Sequence, residues 1–175
     1  MKYLFDREEQ NMDGKLRQMT ALYLVDRERI LMLYRIGSRV VEPSWCGIGG
    51  HFEPEELNDS RACVLREVRE ETGMTEEEME GLCLRYVTMR HTKGEIRFNH
   101  YYFASLKPGV TLPETCPEGK LEWVPMSEML ERNMPVTAGH VLEHYLREGK
   151  DTDWLYGGVT TENGTVFSVM GKAEK

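Results

Sequence analysis

Between Asn58 and Gly73 the sequence NDSRACVLREVREETG leaves the chain little room to be anything but a helix. Asn58, Asp59 and Ser60 can each accept a hydrogen bond from the first free amides of a helix, and Ala62, Val64, Leu65 and Val68 recur at spacings of three and four. Gly73 stands where a helix leaves through the left-handed region, so the pattern predicts a helix over 59–72. A helix with one apolar face needs a second layer to bury it.

The other face carries the chemistry. Glu67, Glu70 and Glu71 stand at i, i+3 and i+4, so their carboxylates project together within one turn. Like charges at that spacing repel by about 0.2–0.5 kcal/mol per pair in solvent, and by more where water is scarce. A divalent cation reverses the sign: carboxylate oxygens are hard ligands suited to Mg²⁺ or Mn²⁺, and Mg²⁺ is usually held by few carboxylates together with water and substrate phosphates. The plainer explanation stands beside it, because Glu-rich helix faces are commonly solvated and Arg66 and Arg69 can pair with Glu70. The preceding loop favours the cation, since Gly47, Gly49 and Gly50 let the backbone approach a ligand and aim carbonyl or amide groups at it.

The flanking segments predict strands. MTALYLVD (19–26) and RILMLYRI (29–36) read as an early strand pair, and SRVVEPSWCGIGG as a loop around a short strand. LCLRYVTMR (82–90) and EIRFNHYYFASL (95–106) read as a hairpin over the turn HTKG. LEWVP is a further strand, Ser127 can cap a short helix in MSEMLERN, and TAGHVLEHYLREG is an amphipathic helix ending at Gly149. Asn163 and Gly164 between β-prone runs signal a last hairpin. Strands and helices mix without regular βαβ alternation or repeats, which predicts an α+β fold with helices on a mixed β-sheet. We expect an N-terminal lead over 1–17, a main domain over 18–148 and a hairpin extension over 149–175 packed on that domain.

At 175 residues and 40% apolar content the chain can bury one real core. A net charge of −8 argues against a nucleic-acid polymer as partner, and an anionic substrate would need a local cation. The four cysteines show neither C-x-x-C pairing nor zinc-ligand spacing, and the N-terminus is too charged for a signal peptide. No apolar run is long enough to span a bilayer, so a soluble, cytoplasmic protein is expected.

The string from Gly50 through REVREETGM resembles the Nudix box: Gly, five residues, Glu, seven residues, Arg-Glu-apolar-x-Glu-Glu-x-Gly-apolar. The match falls on Gly50, Glu56, Arg66, Glu67, Val68, Glu70, Glu71, Gly73 and Met74, with nine residues instead of seven between Glu56 and Arg66. The resemblance implies an α/β/α sandwich over about residues 18–147 and hydrolysis of a nucleoside diphosphate linked to another group. It implies Mg²⁺ or Mn²⁺ on Glu67, Glu70, Glu71 and the Gly49 carbonyl, with Glu67 as ligand or general base, Arg66 orienting Glu67, and Glu56 supporting Arg66.

Some relatives take the base from a later loop, which here offers Glu118 first, then Glu114 and Glu122. Gly50, Tyr23, Trp45, Phe98, Asn99 and Tyr101 come from segments expected to line or border the substrate cleft. His91, His100, Lys93 and Arg97 are weaker phosphate partners. The layout looks most like the MutT-type enzymes that convert nucleoside triphosphates, including oxidised ones such as 8-oxo-dGTP, to monophosphate and pyrophosphate. ADP-ribose or a nucleotide sugar is the next expectation, then a silent nucleotide-sensing module, and last an isoprenoid diphosphate isomerase using Cys46. Homodimers are common in this family, but nothing in the sequence specifies one.

Overall fold

The computed structural model describes residues 15–36 and 42–174. Most of the expected N-terminal lead, and part of the loop before Trp45, lie outside these residues. Nine strands and two α-helices follow in chain order: β1 (Lys15–Asp26), β2 (Arg29–Arg35), β3 (Ser44–Cys46), α1 (Ser60–Thr72), β4 (Met79–Thr92), β5 (Glu95–Leu106), β6 (Thr115–Cys116), β7 (Gly119–Pro125), α2 (Val136–Arg147), β8 (Trp154–Thr161) and β9 (Gly164–Lys172).

The strands form one mixed sheet in the order β6-β7-β2-β1-β5-β4-β8-β9, with β3 paired to β2. β1–β5 and β4–β8 are parallel and the other pairs antiparallel. Alternation along the strands sorts the core onto two faces. Leu22, Leu24, Leu31 and Leu33 pack with Val64 and Val68 of α1 on one face. Tyr23, Ile30, Met32 and Phe103 pack with Ala138, Val141, Leu142 and Tyr145 of α2 on the other. The fold is therefore the expected α+β sandwich.

Helix α1 forms as its sequence dictates. Asp59 accepts the Ala62 amide at 2.9 Å, and Gly73, at φ 74°, donates its own amide to the Arg69 carbonyl. The strands run longer than the apolar runs alone suggest, β1 starting at Lys15 and β4 at Met79.

One local expectation fails. The segment after Ser127 makes only a 3₁₀ turn at Met129–Glu131, with no side-chain cap, because the backbone is already extended at Arg132 (ψ 138°). The expected last hairpin forms, β8 pairing with β9, with Thr161 opposite Gly164 and Glu162 and Asn163 in the turn. Among the described residues no helix is long and apolar enough to cross a membrane.

Candidate active site

The segment Gly47–His51 lies along β1, with the Thr20 amide donating to the Gly50 carbonyl at 2.9 Å and the Leu22 amide to the Ile48 carbonyl at 2.6 Å. Gly49 adopts φ 150°, and a Cβ there would collide with the Thr20 carbonyl. A Cβ on Gly50 would collide with the carboxylate of Glu67. Gly49 is required for this backbone to lie against β1, and a side chain at Gly50 would displace the Glu67 carboxylate.

Arg66 organises one half of the site. Its Nε donates to Glu56 Oε1 at 2.7 Å and its Nη2 to Glu56 Oε2 at 2.9 Å, a two-point fork on a carboxylate that is itself buried. Its Nη1 reaches Glu67 at 2.9 Å and Glu70 at 3.3 Å, and its Nη2 reaches the His51 carbonyl at 3.0 Å. The two extra residues after Glu56 are taken up beyond a 3₁₀ turn at Pro54–Glu56, and they do not disturb the Glu56–Arg66 pair.

Arg35, at the end of β2, organises the other half. Its Nη2 donates to the Gly49 carbonyl at 2.9 Å, lies 3.4 Å from Glu71 Oε1 and pairs with Glu118. Glu118 arrives here because β7 pairs with β2, Gly119 opposite Arg35, and the Ile36 amide donates to the Glu118 carbonyl at 3.0 Å.

Burial, and then the neighbouring Glu118, push the Glu71 carboxyl up to about 8 against the pull of Arg35. Burial also raises Glu67, with Arg66 pulling against it. The hydrogen bonds from Arg66 hold Glu56 down, at about 2. A carboxyl raised as far as Glu71 can hold a proton near neutral pH.

The donor set suits a hard divalent cation. Glu71 Oε2 is buried without a hydrogen-bond partner, and the Gly49 carbonyl points at the same place as Glu71 Oε1 and Glu118. Among the described residues no three His, Cys, Asp or Glu side chains are gathered closely enough to hold an ion, and in this conformation Arg35 and Arg66 are the groups that engage the carboxylates.

The remaining expected residues divide. Glu118 joins the site, whereas Glu114 is exposed and Glu122 pairs with Lys120 at 2.9 Å on a different part of β7. Tyr23 and Tyr101 are buried in the α2-side core with their rings stacked at 6.5 Å, so the structure places neither as an open stacking surface, although the Tyr23 hydroxyl has no partner. Trp45 is half-buried between Tyr34 and the Arg132 guanidinium, which lies 4.9 Å from its ring centre. Phe98 and Asn99 are half-buried on β5, opposite Gln18 and Met19 of β1. His100 packs against Phe52 at 5.2 Å, Arg97 is paired with Glu95, and His91 and Lys93 are exposed at the β4–β5 turn. Burial raises the Cys46 thiol to about 11, which does not suit it to acid–base or nucleophilic work.

Sequence reasoning missed Arg35, yet the signal was present. Leu31 and Leu33 occupy the α1 face of β2, and the same period of two places Arg35 on that face, where a cation needs carboxylate partners.

A family model described as NUDIX domain matches residues 15–145, well over half of the chain. Among solved structures, the fold is similar to a MutT protein of Bacillus halodurans (24% identity, 90% of this chain and 97% of that chain covered, TM-score 0.61). It is also similar to a C. elegans Ap4A hydrolase in a binary complex (17% identity, 79% and 99% covered, TM-score 0.60). A third similar structure is the NUDIX domain of Shewanella oneidensis NrtR complexed with ADP ribose (17% identity, 77% and 87% covered, TM-score 0.56).

Proposed function

The chain belongs to the NUDIX family of pyrophosphohydrolases, and we propose that it hydrolyses a nucleoside diphosphate linked to another group, with a nucleoside triphosphate, including oxidised forms such as 8-oxo-dGTP, as the preferred substrate. The observation that carries this reading is the convergence of the Gly49 carbonyl, Glu71 and Glu118 on one point, beside Glu67 and Glu70 on the same helix face. Glu67, Glu70, Glu71 and the Gly49 carbonyl would hold Mg²⁺ or Mn²⁺, which when bound neutralises the diphosphate and lowers the pKa of water. The similarity to a MutT protein supports the triphosphate; the Ap4A hydrolase and the ADP-ribose complex support the broader class. A cytoplasmic site of action agrees with a nucleotide substrate.

The residues divide the work between orientation and proton transfer. Glu67, its carboxyl raised by burial, accepts the proton of the attacking water, and Arg66 fixes its rotamer through the 2.9 Å bond while being fixed itself by Glu56. Glu118 is a second acceptor within reach of the same place. Gly50 keeps the backbone close enough for a phosphate to lie against it.

The test is phosphate release with Mg²⁺ or with EDTA, read after pyrophosphatase treatment for nucleoside triphosphates and 8-oxo-dGTP, and after alkaline phosphatase treatment for ADP-ribose and a dinucleoside polyphosphate, whose products are phosphomonoesters. Excess Mg²⁺ is restored to the heat-stopped reaction before the second enzyme is added. Metal-dependent release of monophosphate and pyrophosphate from a triphosphate supports the reading. Release from ADP-ribose alone keeps the reaction and overturns the substrate; binding of nucleotide without release from any member overturns the reaction.

A further inference from the structure

One nitrogen of Arg35 stands where a cation would be expected to stand. Nη2 touches the Gly49 carbonyl, Glu71 Oε1 and Glu118 together, three oxygens from three separate segments of the chain. Arg66 meets Glu56 through its planar fork, with both carboxylate oxygens engaged. The Arg35–Glu71 contact leaves atoms unpaired: Arg35 Nε is buried without a partner, and Glu71, only 6% exposed, keeps Oε2 buried without one. The pair is thus poorly satisfied at both ends, which is the condition of a partnership that a better partner can replace.

We propose that Arg35 is an internal counter-cation of the metal-free site, which the divalent ion displaces from Gly49, Glu71 and Glu118 when it binds. The inference rests on the reading of this site as a divalent-metal site. A guanidinium and an ion that both need the Gly49 carbonyl and Glu71 exclude one another. Arg35 therefore weakens metal binding and offsets the repulsion between Glu71 and Glu118 when no metal is present. The displaced guanidinium remains tethered at the end of β2, beside the cleft, as a positive group in a chain of net charge −8.

Mn²⁺ titrations followed by electron paramagnetic resonance, on the natural protein and on Arg35→Gln, test the competition. The expected result is that Arg35→Gln binds Mn²⁺ about tenfold more tightly or better, and that its melting temperature is lowered without metal but recovers with saturating Mn²⁺. Arg69→Gln removes one positive charge from the exposed side of α1 without touching the three oxygens, and should change Mn²⁺ affinity by less than about twofold through screened solvent. Equal or weaker Mn²⁺ binding by Arg35→Gln, or an equal gain in Arg69→Gln, overturns the inference and leaves the metal site standing. Absence of Mn²⁺ binding in every protein overturns both.

Should Arg35→Gln fail to fold, the natural protein suffices. The Arg35 side-chain NMR signal must shift when diamagnetic Mg²⁺ is added, and an unmoved signal at saturation overturns the displacement.

Discussion

At the residue scale the site is an account of which charges share which partners. Glu56 and Arg66 form a two-point pair, 10% and 23% exposed at their side chains. Glu56→Ala leaves the guanidinium facing the Glu67 and Glu70 carboxylates with its main anchor gone. We expect a loss of about 3 kcal/mol in urea unfolding, the lower end for removing one member of a buried pair, and looser positioning of Glu67, seen as a fall in kcat larger than the change in KM.

Glu71 gives a pH prediction of definite sign. Its carboxyl is raised by burial and by Glu118 to about 8, so between the ordinary carboxyl range and about 8 the folded protein holds a proton that the unfolded chain has lost. Stability in EDTA must fall as pH rises through that window and level off above it. Melting temperatures measured from pH 5 to pH 9 should show the decline, and saturating Mg²⁺ should abolish or reverse it, since the ion favours the ionised carboxylate.

At the element scale, legibility followed locality. Helix α1 was legible because its cap, its apolar spacing and its terminal glycine are all local signals, and the structure places them within one residue of expectation. The helix after Ser127 was not, because a candidate capping residue and a few helix formers are a weak signal, and the chain turns extended at Arg132 with no side-chain cap made. The inward position of Arg35 was readable from alternation along β2, but its partners were not, since Glu118 lies on a segment far along the chain.

The last hairpin shows another nonlocal anchor. Arg85 on β4, buried, donates to the carbonyls of Gly149, Thr152 and Trp154 at 2.8–2.9 Å, and so fixes the chain between α2 and β8. Arg85→Met leaves three carbonyls without that donor. Hydrogen exchange should then accelerate in β8 and β9 well before it does in β1 or β5, with a stability loss of about 2–3 kcal/mol. Uniform acceleration across the sheet would contradict the assignment of Arg85 as a local anchor.

At the scale of the whole molecule, the sequence specified a mixed sheet with helices on both sides but not its order. The two parallel pairings, β1 with β5 and β4 with β8, join segments distant in sequence, and no turn residue or local pattern announces them. They matter for the site: β1 carries the backbone that receives Gly47–His51, and β2, splayed from β1 beyond its first pairs, brings Arg35 and, through β7, Glu118 to the same edge. The two faces of the sheet thus have different tasks, α2 sealing an aromatic core and α1 presenting carboxylates at the split.

The measurement that tests this account most directly is steady-state hydrolysis of a nucleoside triphosphate by the natural protein and by Glu67→Gln, each with Mg²⁺ and with EDTA, alongside the melting temperature of both. The account predicts Mg²⁺-dependent turnover in the natural protein, a loss of about 10²–10⁴-fold in Glu67→Gln as for removal of a general base, and a melting temperature close to that of the natural protein, since the burial that disfavours a charged Glu67 outweighs the pull of Arg66. Turnover that persists in EDTA, or that survives the substitution at Glu67, would contradict it.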